Sequence, residues 1–162
     1  MSVGEGRSPE DYITLRFIYL VHRGESAASD VITASLHDLD LTGTHGLILE
    51  VLNAHPGISA AQVARYCGIS RQAVLAPLGY LESRKLVYRN VADPRARVKP
   101  LELTGEGSRL AGLARGRVEV LEAQVMSGFS EGERELLREL LARYADSWES
   151  VRAREAVTMA VN

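Results

Sequence analysis

Residues 93–107 read DPRARVKPLELTGEG and follow KLVYRNVA at 85–92. Asp93-Pro94 starts a turn, and the short apolar runs LVYRNV and VKPLEL flank ADPRAR, so the segment reads as a β-hairpin. Its tip and the residues just beyond carry Arg95, Arg97 and Lys99, in a chain whose formal net charge is −2. An anionic chain that gathers cations on one β-finger has a use for them there.

Upstream, SRQAVLAPLGYLESRK reads as a helix capped by Ser70, with Val74, Leu78, Leu81 and Lys85 at spacings of four, three and four. Pro77 falls inside it, where a regular helix would lose the bond to the Ala73 carbonyl, at a cost of about 3 kcal/mol, and bend. Before it, ISAAQVARYCGIS offers Ser59 as a cap, Val63, Ala64 and Cys67 on one face, and Gly68 as a stop. LTGTHGLILEVLNAHPG gives another short helix, capped by Thr42 or Thr44, with Leu47, Ile48, Val51 and Leu52 facing inward and Pro56-Gly57 ending it. Residues 9–39 have helical periodicity interrupted around RGESAAS, which suits one kinked helix or two. Downstream, Thr104 caps a helix over TGEGSRLAGLARGRVEVLEAQVM, with Gly105 and Gly107 weakening its first turn. Ser130, with Glu133 in the capping-box position, opens a long final helix with an apolar seam of Leu137, Leu140, Leu141, Tyr144, Trp148 and Val151.

Helix, short turn, second helix and arginine-bearing hairpin is the order of a winged helix-turn-helix, and charge follows that order. Residues 71–99 hold Arg71, Arg84, Lys85, Arg89, Arg95, Arg97 and Lys99 against Glu82 and Asp93, whereas residues 1–61 hold three arginines and eight acids. DNA phosphates need only such a local excess. From about Leu39 to Gly107 the chain resembles the MarR family of bacterial transcription regulators. The motifs are DLT before a helix, AxxVARYCGIS, LESRKLVYR, the Asp-x-Arg hairpin, and Leu-Thr-x-x-Gly after it.

The resemblance implies a mostly α fold with a small β-hairpin wing, divided into an N-terminal helical dimerisation segment (1–40), a winged helix-turn-helix (41–103) and a C-terminal helical dimerisation segment (104–162). It implies a homodimer, and a wing arginine, Arg95 by motif match, in the minor groove, with Asp93 orienting it and Arg97 and Lys99 beside phosphates. The helix after Ser70 would read the major groove through Arg71 and Gln72, with Leu75 and Ala76 limited to apolar contacts such as a thymine methyl. The DNA partner would be a pseudo-palindromic operator. Lys85 stands where relatives often carry glycine, so the turn into Leu86 would be less favourable or differently shaped, and Pro100 suggests an edge position for the second wing strand. Relatives lose DNA affinity on binding small aromatic or phenolic acids in a cleft beside the dimer helices, which here could engage Tyr19, His22, Arg23 and Arg115. The alternatives are a winged-helix module that binds protein, and a DNA-binding regulator without an effector.

The rest of the sequence bounds this reading. At 162 residues and 46% hydrophobic content the chain can fill one core. Its beginning, MSVGEGRSPE, has no apolar signal run, and no stretch is long enough to span a membrane, so the expected site is the cytoplasm. No phosphate loop, nucleophile elbow or paired-acid metal motif points to an enzyme, and no cofactor is implied. Cys67 occupies an apolar helix position and reads as packing; a redox role would need an electropositive thiolate. His22, His37, His45 and His55 form no close ligand pair with it or with one another in sequence, which leaves only a metal site assembled in space.

Overall fold

A computed structural model describes residues 13, 14, 16–90 and 99–161. Among these residues the elements run α1 (Phe17–Ser35), a 3-10 turn (His37–Leu39), α2 (Gly43–Ala54), α3 (Ala60–Tyr66), α4 (Leu75–Ser83), β1 (Val87–Arg89), β2 (Leu101–Leu103), α5 (Gly105–Met126) and α6 (Glu131–Val161). They group into two compact units, one reaching Glu119 and the other starting at Val120.

Helix α1 passes through RGESAAS without a break, while Ile13 and Thr14 are helical ahead of an extended Arg16, so the interruption lies before Phe17 and not at RGESAAS. Helix α2 is capped by Thr42, and its buried face is Gly46, Ile48, Leu49 and Leu52. Leu47, expected inside, is 42% exposed. Its place in the core goes to Leu49, because α2 turns the Leu47 side toward a cleft described below. Ser59 caps α3 by accepting the Gln62 N–H, and Val63 and Ala64 are buried. Gly68, at φ 67, makes the left-handed turn that a side chain would resist. The core of this unit joins Leu36, Ile48, Leu52, Val63, Val74, Leu78, Leu81, Leu86 and Leu101, all at 1% exposure or less.

The helix expected from Ser70 is shorter in its regular part. Residues 71–74 form a tight turn in which the Ser70 hydroxyl accepts the Ala73 N–H at 3.0 Å, and α4 proper starts at Leu75. Pro77 therefore sits in the first helical turn, where its missing N–H leaves no interior bond broken, and the anticipated mid-helix bend does not arise. At the other end, Lys85 adopts φ 56; its N–H donates to Glu82 O and the Leu86 N–H donates to Leu81 O. This pair of bonds is a Schellman motif made with lysine in the glycine position, so the turn keeps its usual shape and bears the strain.

β1 and β2 pair antiparallel, Val87 opposite Leu103 and Arg89 opposite Leu101. β2 is not an edge at Leu101: on its far side Leu101 exchanges backbone bonds with Gly57 and Ile58. Pro100 stands just before the strand, so it takes no donor from the ladder, while its carbonyl accepts the Asn90 N–H at 2.8 Å. The hairpin tip, with Asp93, Arg95 and Arg97, lies outside the described residues. Ser130 caps α6 in a reciprocal box with Glu133. No helix among the described residues is long and apolar enough to cross a membrane.

Candidate nucleic-acid interface

The turn and first residues of α4 form an open surface. Ser70, Arg71, Gln72, Leu75 and Ala76 are all exposed, Leu75 at 57%. The Arg71 and Gln72 side chains form no hydrogen bond or ion pair with another described residue. Val74, Leu78 and Leu81, buried on the opposite face, hold that surface outward.

The neighbouring cations are employed differently. Arg84 donates to the carbonyls of Leu39 (3.0 Å) and Asp40 (3.1 Å) and to the Tyr80 hydroxyl. Arg89 pairs with Glu82 at 2.7 Å. Both serve to fasten the helix-turn-helix, so the local positive excess counted along the sequence overstates what a ligand would meet. Among the described residues of that stretch, Arg71, Lys85, Arg89 and Lys99 are exposed, Arg89 while paired with Glu82.

The base of the wing is organised by a residue that the sequence pattern did not single out. Glu102 accepts from the Asn90 amide at 2.8 Å and from the Tyr88 hydroxyl. The bond from Asn90 first, then that from Tyr88, holds the Glu102 carboxyl below its usual range, and the same contact raises the Tyr88 phenol. The signal was available, since register places Tyr88 opposite Glu102. Below this clamp, Thr104 joins the wing to α5: its N–H donates to Leu86 O and its hydroxyl donates to Lys85 O at 2.8 Å while accepting from Gly107 N–H at 3.0 Å. Gly107 then passes so close to Leu86 that a Cβ would stand 2.0 Å from its carbonyl oxygen. The Leu-Thr-x-x-Gly motif is this junction.

A second cluster steadies the start of α2. His45 Nδ1 accepts the Thr42 N–H at 3.1 Å, completing a capping box, and its ring stacks on Tyr80 at 4.5 Å between centroids. Burial, and then the Arg84 charge, keep the His45 imidazole below the ordinary histidine value, consistent with the acceptor role.

Between α1, α2 and α5 lies a cavity of about 400 Å³, whose lining includes Glu25, Ile32, Leu47, Glu50, Cys67, Ile69 and Arg115. Of the residues expected near an effector, Arg115 lines it; Tyr19, His22 and Arg23 stand earlier on α1 and do not. Burial pushes the Cys67 thiol up to about 11, so it is a neutral wall of this cavity. On α6, Leu140, Tyr144, Trp148 and Val151 flank a shallow groove, with Trp148 48% exposed and edge-on to Tyr144. Leu137 and Leu141 lie on the same helix, half-buried and 47% exposed respectively.

Residues 39–97, the helix-turn-helix and wing, match the MarR family model. The HTH-type transcriptional repressor Rv2887 of Mycobacterium tuberculosis is 28% identical over 125 residues, covering 77% of this chain and 90% of that protein. The chain is thus similar to the MarR family, most directly over its helix-turn-helix and wing. Solved MarR structures reproduce its fold beyond the matched segment. The Staphylococcus aureus MepR–DNA complex superposes with a TM-score of 0.76 at 26% identity, covering 82% of this chain and 98% of that one. Rv2887 in complex with salicylic acid gives a TM-score of 0.64 at 27% identity, covering 80% and 96%. The family is one of transcription regulators, and its winged-helix fold accounts for the elements described above.

Proposed function

We propose that this protein is a MarR-family, sequence-specific, double-stranded DNA-binding repressor acting as a homodimer in the cytoplasm, released by a small aromatic effector. The observation that carries the DNA reading is the exposed Arg71-Gln72 turn, whose side chains pair with no other described residue, held outward by Val74 and Leu78 while nearby Arg84 and Arg89 are tied into the fold. Arg71 would read guanine and Gln72 adenine, Ser70 would bond a phosphate, and Leu75 and Ala76 would meet a thymine methyl. Arg95, oriented by Asp93, would enter the minor groove, with Arg97 and Lys99 on phosphates. A DNA complex of MepR, at 26% identity, supports this placement.

Dimerisation is supported by the apolar stripe that α6 exposes in a single chain, which pairing with its symmetry mate would cover. Two copies would set their α4 helices about one turn of DNA apart, on an inverted repeat. The effector reading is supported by the α1–α2–α5 cavity and by the salicylic acid complex of Rv2887.

Selection of bound genomic fragments followed by salt titration tests the DNA reading. The expected result is recovery of an inverted repeat, with Arg95→Ala weakening binding to all duplexes and lowering the salt slope by about 1. Gln72→Ala should change sequence preference, at roughly 1–3 kcal/mol for the affected base pair. Random fragments and unaltered salt dependence in both variants would favour a module that binds protein.

A further inference from the structure

We propose that the α1–α2–α5 cavity selects a ligand joining an apolar ring to a positive charge, an amine or quaternary ammonium, over a carboxylic acid. This rests on the reading of that cavity as the effector site, and goes beyond it by assigning the ligand's charge. Ile32, Leu47 and Ile69 supply an apolar wall suited to a ring. The charged groups on the lining are unbalanced: Glu25 on α1 and Glu50 on α2 face Arg115 on α5, and Arg115 is itself paired with Glu119 at 3.6 Å.

The placement of the two carboxylates follows from how the helices meet. α1 and α2 approach each other where Ile32 lies against Gly43, a Cβ on Gly43 falling 3.3 Å from Ile32 Cγ2. Glu25 and Glu50 are each seven residues from that contact, roughly 10 Å along their own helices. Both therefore stand about two helical turns from the point where α1 and α2 approach. A cation seated among them gains from both across a partly apolar cavity, where fields are less screened than in water, whereas a carboxylate meets two like charges and a guanidinium already engaged. Cys67 remains a neutral thiol and adds no charge of either sign.

Three probes with one ring and different charge isolate the effect: 2-naphthylmethylamine, 2-naphthylmethanol and 2-naphthoate, titrated at pH 7 into the full-length protein by calorimetry and scored for release of its DNA. The amine should bind at least about tenfold more tightly than the naphthoate, with the alcohol between them. In the Glu25→Gln/Glu50→Gln double variant, checked for folding by thermal unfolding, the spread should narrow to under about threefold, and Arg115→Ala should widen it. Tightest binding by the naphthoate, or a charge order that survives the double variant, overturns the proposal. If the alcohol and naphthoate bind and release DNA while the amine does not, the effector site stands and the charge assignment falls. If none of the three binds, both fall.

Discussion

Gly107 has no room for a side chain, because a methyl there would meet the Leu86 carbonyl oxygen at 2.0 Å and its carbon at 2.9 Å. Both neighbours are backbone, so relief requires parting the wing from α5. Gly107→Ala should cost more than about 3 kcal/mol in urea unfolding. Gly105, two residues earlier, has nothing within 4 Å of its would-be Cβ, and Gly105→Ala should be neutral or stabilise by up to about 1 kcal/mol. Equal losses in the two variants would show that helix propensity, not the close approach, sets the requirement. Lys85 is the converse case, a side chain held at φ 56. Lys85→Gly should raise the unfolding midpoint by the equivalent of roughly 1 kcal/mol, relieving the left-handed strain while keeping both Schellman bonds. The sequence showed that Lys85 stands in a glycine position, but not which of two turn shapes would result. That was decided by the Leu86 N–H, which must reach the Leu81 carbonyl for Leu86 to enter the core.

At the scale of elements, caps and apolar spacing were the legible signals. Thr42, Ser59, Thr104 and Ser130 each accept a backbone N–H at the helix start expected for them. What was not legible depends on partners distant in sequence. The Arg84 guanidinium counts toward the local positive excess until Leu39 and Asp40 are seen beside it, and nothing in the pattern singles out Glu102 until Asn90 is seen to bond it. The α4 start was misjudged because Ser70 does cap a turn, yet the chain tightens through residues 71–74 before the regular helix, which leaves Pro77 unstrained. The α2 cap makes a pH prediction. The His45 value is lowered in the folded protein, so the unfolded chain binds the extra proton, and the contribution is present above about pH 6.5 and lost as pH falls below it. Between pH 7.5 and 5 the wild type should therefore lose more stability in urea titrations than His45→Gln, whose amide oxygen can still accept the Thr42 N–H. Parallel curves for the two proteins would remove His45 from that role.

At the scale of the whole molecule, the final helix shows apolar groups that a lone chain has no use for. Leu140 and Leu141 are each 47% exposed and Trp148 is 48% exposed, on a helix otherwise rich in charge. Placing a carboxylate in that stripe, as in Leu140→Asp/Trp148→Asp, should give a monomer by light scattering. Without its mate the chain would engage one half-site at a time, and operator affinity should fall by about a hundredfold while the monomer stays folded. A variant that remains dimeric would place the pairing surface elsewhere. The distribution of charge fits this division of labour, with acids outweighing bases in residues 1–61 and cations concentrated in residues 71–99.

The Leu86 carbonyl touches three parts of one junction: it accepts the Thr104 N–H, lies 3.3 Å from the Thr104 hydroxyl, and bars any side chain at Gly107. The β-finger is thus soldered at its root and has no joint of its own there. A displacement of the first turn of the following helix would therefore be passed to the paired strands Val87–Arg89 and Leu101–Leu103 through this one oxygen.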